Sequence, residues 1–241
     1  SDEDALDVED RVSIAISANA NDVKLRHNRA TRFLHFAILG GANNIVTGNH
    51  FFQGDSVPGG VRSAGLILAD NVTSSTVAGN YIDNCFVEWC NERDATPDFS
   101  TGFSFSALSL TDNIFLSGDV SSLFSYLVVK PFGSGHYLNG LTVTGNKFRS
   151  TGSSIDRVER VDASLAALDH GKAKDVTFAA NTFHQVAVQV ANPLRLSLGA
   201  ATAAQTWTAD LDGALPFGGQ TRAVESVVAL GALETGSGAG H

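Results

Sequence analysis

Asparagine recurs in one fixed setting along this chain, and that recurrence confines the fold to a solenoid. Each time it follows an apolar–polar–apolar alternation and one small or polar residue, and it precedes any residue and then an apolar one. The tightest copies are Thr47-Gly48-Asn49-His50-Phe51 and Thr144-Gly145-Asn146-Lys147-Phe148; four looser ones centre on Asn28, Asn80, Asn113 and Asn181. Successive asparagines lie 21, 31, 33, 33 and 35 residues apart. A unit repeated at such intervals buries its apolar face by stacking on its neighbours.

Repeats of this length also build helical arrays, but here the apolar spacing is two rather than three to four. β-Branched residues and phenylalanine dominate, so the unit is made of strands. A second apolar stretch in most repeats suits another strand: residues 36–39, 65–68, 86–89, 127–129 and 186–190. Asparagine tolerates the left-handed backbone region better than any residue except glycine, which suits it to a tight corner. Stacked at the strand spacing of about 4.8 Å, the six amides can hydrogen-bond up the molecule as a ladder. Phe51, Ile82, Phe115, Phe148 and Phe183, two places after the asparagines, should point inward and stack in the core. The expected fold is an all-β parallel solenoid of about six to seven turns with a C-terminal cap.

On these Asn corners the chain resembles the right-handed parallel β-helix of the pectate-lyase superfamily, which includes family 28-related glycosyl hydrolases and phage tailspikes. The resemblance spans roughly residues 1–190. More specifically, the chain looks like rhodobacterial family 28-related proteins of phage or gene-transfer-agent-like particles. It implies a polysaccharide partner, an extracellular or particle-associated setting and a homotrimer. It also implies that substrate lies along the sheet built from the first strands of the turns.

Bulk properties narrow the partners. With 25 acidic against 16 basic residues the net charge is −9, which argues against nucleic acid. No apolar run approaches the roughly 20 residues of a membrane span. Cys85 and Cys90 are the only cysteines; they either bridge or sit as two small buried groups. The dispersed histidines have no metal-ligand spacing, so no metal site is assigned. The chain divides into a β-helix over 1–190, a cap or oligomerisation region over 191–232 and a flexible tail over 233–241. Residues 4–8 align as a strand like 36–40, which reads as a solenoid cut in its first turn and hence a piece of a longer protein. Residues 157–168 suit a short helix or an irregular strand, and 224–230 a final apolar strand.

On the face the resemblance assigns to substrate, alternation turns Asp7, Glu88 and Lys130 outward together. The following loop, Asn91-Glu92-Arg93-Asp94-Ala95-Thr96-Pro97-Asp98, is the most polar in the chain. Glycoside hydrolysis needs one carboxyl to protonate the leaving oxygen and another to attack or activate water. Glu88, Glu92, Asp94 and Asp98 are the pool for such a pair, with Asp7, Trp89, Arg93 and Lys130 as substrate contacts. Trp89 offers a face for a sugar ring. Equally, these acids can be solvated surface or loop-stabilising groups, and Trp89 a packed residue. The family 28 signatures Asn-Thr-Asp, paired aspartates, Gly-His-Gly and Arg-Ile-Lys are absent. Elimination would instead need a base such as Lys130, Arg93 or His136-Tyr137, and calcium on Asp4, Asp7 and Asp10. The alternatives to a carbohydrate-engaging spike protein are a non-catalytic structural stalk and a lyase or glycosidase with a divided site.

Overall fold

A computed structural model of the chain describes residues 12–55, 61–70, 74–100, 102, 104–199, 206–211 and 213–228. Among these residues eighteen short strands climb through six rungs of three. The first rung is β1 (Val12–Asn19), β2 (Lys24–Arg26) and β3 (Arg29–Thr31). The second is β4 (Phe33–Gly40), β5 (Ile45–Thr47) and β6 (His50–Phe52); the third is β7 (Ala64–Leu68), β8 (Thr76–Ala78) and β9 (Tyr81–Asp83). The fourth is β10 (Phe86–Cys90), β11 (Ser109–Thr111) and β12 (Ile114–Ser117); the fifth is β13 (Leu127–Lys130), β14 (Asn139–Thr144) and β15 (Lys147–Ser150). The sixth is β16 (Glu159–Val161), β17 (Lys174–Ala179) and β18 (Thr182–His184). Like strands from successive rungs pair in parallel, giving three six-stranded sheets: sheet A from the first strands, B from the second and C from the third. The chain is a parallel β-helix, as the asparagine spacing predicts.

The corner between sheets B and C divides its labour between two residues. The left-handed conformation belongs to the residue before each asparagine: His27, Gly48, Gly79, Asp112, Gly145 and Ala180 lie at φ between 54° and 69°. The expectation that asparagine itself adopts this conformation is corrected: its side chain is what the corner needs. From Asn28 to Asn146 each amide Nδ2 donates to Oδ1 of the asparagine one rung on, at 2.9–3.0 Å. That oxygen also accepts the preceding asparagine's backbone N–H at 3.0 Å. From Asn49 onward Nδ2 also donates to a carbonyl of the rung below, on Leu25, Val46, Val77, Leu110 and Val143. Four of the six asparagines are thus buried with donors and acceptors matched.

The apolar positions two residues later form a column inside sheet C, in the register Ala30, Phe51, Ile82, Phe115, Phe148, Phe183. Phe115 and Phe148 stack at 5.0 Å between centroids, and Phe148 and Phe183 at 5.8 Å. Leu25, Val46, Val77, Leu110, Val143 and Phe178 face them from sheet B. Leu39, Leu68, Trp89 and Val129 close the core from sheet A.

The sixth rung departs from expectation. Residues 186–190 form no strand; Val186 makes a single bridge to Ile155. The strand of sheet A at this level is β16, inside the 157–168 stretch. In the column continuing Val87 and Leu127, β16 places Glu159 facing the core and fully buried. Arg157 answers it with two hydrogen bonds, at 2.6 and 3.1 Å, and donates also to the carbonyls of Gly213 and Leu215. A 3₁₀ turn, Pro216–Gly218, then lays Phe217 over β16, its N–H reaching Glu159 Oε1 at 2.9 Å. The expected strand at 224–230 is not formed over its described part: Val224, Val227 and Val228 are exposed coil. The turn around Phe217 already covers the edge such a strand would pair with, and an unpaired strand is not stable.

Two stability predictions follow from this packing. Asn113→Ala strands the buried N–H and Nδ2 of Asn80 and should cost about 3 kcal/mol, whereas Asn28→Ala, on the exposed first rung, should cost less than about 1 kcal/mol; urea unfolding of both variants is the check. Asp83, half-buried on β9, has its pKa pushed up to about 6, chiefly by burial, with Asp55 adding and Arg62 opposing. Between about pH 4 and 6 the folded state holds a proton that the unfolded chain has released, so this site favours folding more as pH falls. Asp83→Asn should therefore unfold at higher denaturant than the parent at pH 7.5, with the difference gone by about pH 4.

Candidate functional site

The outer surface of sheet A gathers the best chemical constellation on the molecule. Alternation along β10 decides it: Val87 and Trp89 share the inward parity, while Glu88 and Cys90 face out. Trp89 sits in register with Leu68 and Val129 and is fully buried. Its ring meets Phe105 edge-on at 5.3 Å, and Nε1 donates to the Asp70 carbonyl at 3.2 Å. The assignment of Trp89 as a sugar platform is therefore corrected: it is a core residue with its one polar atom satisfied.

Glu88 pairs in register with Val128, and Cys90 with Lys130, so Glu88 and Lys130 lie on one face, as alternation predicts. Lys130 Nζ stands 3.9 Å from a carboxylate oxygen of Asp162, just beyond β16, and 5.7 Å over the ring of Phe132. Glu92 folds back so that its carboxylate, that of Glu88 and the Cys90 sulfur lie within 4.8 Å of one another. Burial is the main influence raising the pKa of Glu88; Glu92 and Asp162 push the same way, and Lys130 and His35 oppose them. Two nearby carboxyls in unequal surroundings result, Glu88 half-buried and Glu92 exposed. This is the asymmetry that separates a proton donor from a charged partner. Cys90 and Cys85 are free, buried thiols, each pushed up by burial. A neutral thiol leaves the carboxylates as the reactive groups here.

The polar loop after β10 serves mainly to hold itself in place. Buried Asn91 spans it, accepting the Phe132 N–H at 2.7 Å and donating to the Phe132 carbonyl at 2.8 Å and to Asp94 at 3.0 Å. Asp98 accepts from the N–H and hydroxyl of Ser134, at 2.8 and 3.0 Å, which hold its carboxyl below the usual range. Asp94 and Asp98 are thus loop-closing groups rather than a catalytic pair. His136, fully buried, donates from Nε2 to the Pro97 carbonyl and accepts the Ser104 hydroxyl at Nδ1, both at 2.7 Å. Tyr137 donates its hydroxyl to the Gly102 carbonyl. Neither is placed as an external base. Arg93 lies exposed on the same loop. Asp4, Asp7 and Asp10, the expected calcium group, lie outside the described residues.

The structure thus brings together Glu88, Glu92 and Lys130, and adds Asp162, His35 and Phe132. Asp162 escaped sequence reasoning because residues 157–168 read as either a short helix or an irregular strand, which left its face unassigned; the Glu159-Arg160-Val161 triplet, followed by an acid as β13 ends in a lysine, was the available signal. Phe132 escaped because its position depends on Asn91, 41 residues away. Comparisons with protein-family models, with curated proteins and with solved structures find no match to this chain.

Trp89→Ala should lower stability by about 3–5 kcal/mol, the cost of emptying an aromatic core position. Glu88→Gln should not destabilise at pH 7.5, because the folded state no longer carries a partly buried charge there. Paired urea titrations of the two variants decide both points.

Proposed function

We propose that this chain is a carbohydrate-engaging β-helix of a spike, fibre or surface-associated protein, which binds bacterial envelope polysaccharide on the outer face of sheet A and cleaves it there. The observation that carries this reading is the Glu88–Glu92 pair, one carboxyl raised by burial and the other in solvent, beside Lys130. Phe132, adjoining Lys130 and anchored through both its backbone groups, takes the part of sugar platform in place of Trp89. The resemblance of the Asn corners to the pectate-lyase superfamily and phage tailspikes supports the same substrate class, a homotrimer and an extracellular or particle-associated setting.

In this reading Glu88 gives its proton to the glycosidic oxygen as the bond to the anomeric carbon breaks. Glu92 lies close enough to act as the second carboxylate of a retaining reaction, in which the two carboxyls stand about 5–5.5 Å apart. It attacks the anomeric carbon, and water then releases the sugar, its proton passing to Glu88. Lys130, beside Asp162 and Glu88, holds the substrate.

The test is incubation with a panel of capsular polysaccharides, following new reducing ends and the absorbance of unsaturated products. Reducing ends without that absorbance are expected. The rate should decline as pH rises past the raised pKa of Glu88, since the donor is then ionised. Glu88→Gln should lower cleavage by about 10²–10⁴-fold with binding retained. Both signals together would instead mean elimination. Binding without either would leave a receptor, and no interaction at all would favour the second reading, a structural stalk. That reading draws on the unbroken six-asparagine ladder, which makes a stiff spacer whatever its surface does.

A further inference from the structure

The outer face of sheet C, on another side of the solenoid, carries a second set of groups that the reading above leaves unused. Two outward columns run along it in register. One is Arg29, His50, Tyr81, Ile114, Lys147 and Thr182; the other is Thr31, Phe52, Asp83, Leu116, Arg149 and His184. Between them a shallow groove of about 470 Å³ is lined by Tyr81, Ile114, Leu116, Lys147, Arg149 and Thr151.

Three properties set this groove apart from ordinary surface. Its floor is aromatic and aliphatic: the Tyr81 ring is braced edge-on by His50 at 4.7 Å, and Ile114 is 38 % exposed where its counterparts one residue away are buried. Its charge runs against that of the whole chain. In a protein of net charge −9 these columns hold Arg29, Lys147 and Arg149, all exposed, and Asp83 is their one carboxylate. Among the described residues none of these three cations enters an ion pair. Asp83 shares its surroundings with Arg62, which partly offsets its charge. Finally, the groups are in single file at the rung spacing of about 4.8 Å, so a linear polymer lying along the solenoid axis would meet cation and apolar floor at successive rungs.

The geometry points to a binding groove for an anionic polysaccharide, its sugar faces on Tyr81, Ile114 and Leu116 and its carboxylate or sulfate groups on Lys147 and Arg149. Aromatic and aliphatic side chains match the apolar faces of sugar rings, and a guanidinium makes a two-pronged contact with an oxyanion. Single-stranded nucleic acid also carries charge, but it binds by stacking successive bases on aromatic platforms, and Tyr81 is the one aromatic ring lining this groove, whereas Ile114 and Leu116 suit the apolar faces of sugars. This inference does not depend on the chemistry at Glu88.

Immobilised protein is presented with alginate, dextran sulfate, neutral dextran and an oligodeoxythymidylate, at low and at physiological salt. Binding of alginate or dextran sulfate, absent for neutral dextran and weakened by salt, is expected; the preferred of the two tells whether carboxylate or sulfate is the natural group. Arg149→Ala, Lys147→Ala and Tyr81→Ala should each weaken it about tenfold or more, the scale of losing one strong contact. Asp83→Asn, which removes the one carboxylate of these columns, in register with Leu116 of the groove, should tighten it. Unfolding midpoints of Arg149→Ala and Lys147→Ala should match the parent, both being exposed. Equal binding of neutral dextran, stronger binding of the oligonucleotide, or no effect of the three alanine variants would each overturn the proposal.

Discussion

An amide that can accept two hydrogen bonds and give two is the device on which this molecule is built. A β-helix must turn its chain at every rung, and each turn interrupts the strand pairing that would otherwise satisfy the backbone. The asparagine side chain repairs the break by acting as a further piece of peptide: its oxygen receives a backbone N–H and an amide from the rung before, and its nitrogen gives to the rung after and to a strand carbonyl. Because every member depends on both neighbours, the ladder fixes the vertical register of sheets B and C together. The phenylalanine column is in line because the amides are in line.

That register places the chemistry. Glu88, Cys90, Lys130 and Asp162 are up to 74 residues apart in the chain, and only stacking in register makes them neighbours on sheet A. The same holds for the cationic and aromatic positions on sheet C. Glu88, Lys130 and the two columns of sheet C are offered by strands, so their spacing is set by the scaffold, while Glu92, Phe132 and Asp162 sit on the segments that leave the strands. The long polar loop after β10 is itself anchored at Asn91 and His136. Its acids are therefore spent on closing turns, apart from Glu92.

Much of the fold was legible because it repeats. Asparagine spacing, alternation and the apolar residue two places on all report one periodic structure, and five of the six corners between sheets B and C carry a bulky apolar residue at that place. What the repeat does not encode was harder to read. The left-handed conformation falls on the residue before asparagine, where glycine occurs three times and His27, Asp112 and Ala180 do not announce it. Trp89 and Glu88 are adjacent, so both could not face outward, and the alternation that turns Glu88 out already turns Trp89 in. Glu159 breaks the apolar pattern of the sixth rung and leaves 157–168 readable as helix or strand, since a buried carboxylate is legible only with the Arg157 that neutralises it.

The Glu159–Arg157 pair has a bearing on assembly. An open solenoid end is a ready surface for another copy to continue end to end, in the manner of a filament. Here the sixth rung, the last among the described residues, presents an ion pair, roofed by Phe217, where continuation would require an apolar layer. Displacing that roof would leave a carboxylate and a guanidinium facing a neighbour with nothing to match them, at a prohibitive desolvation cost. The edge of β16 is thereby closed to an added strand by a buried charge rather than by a shortage of backbone groups to pair with.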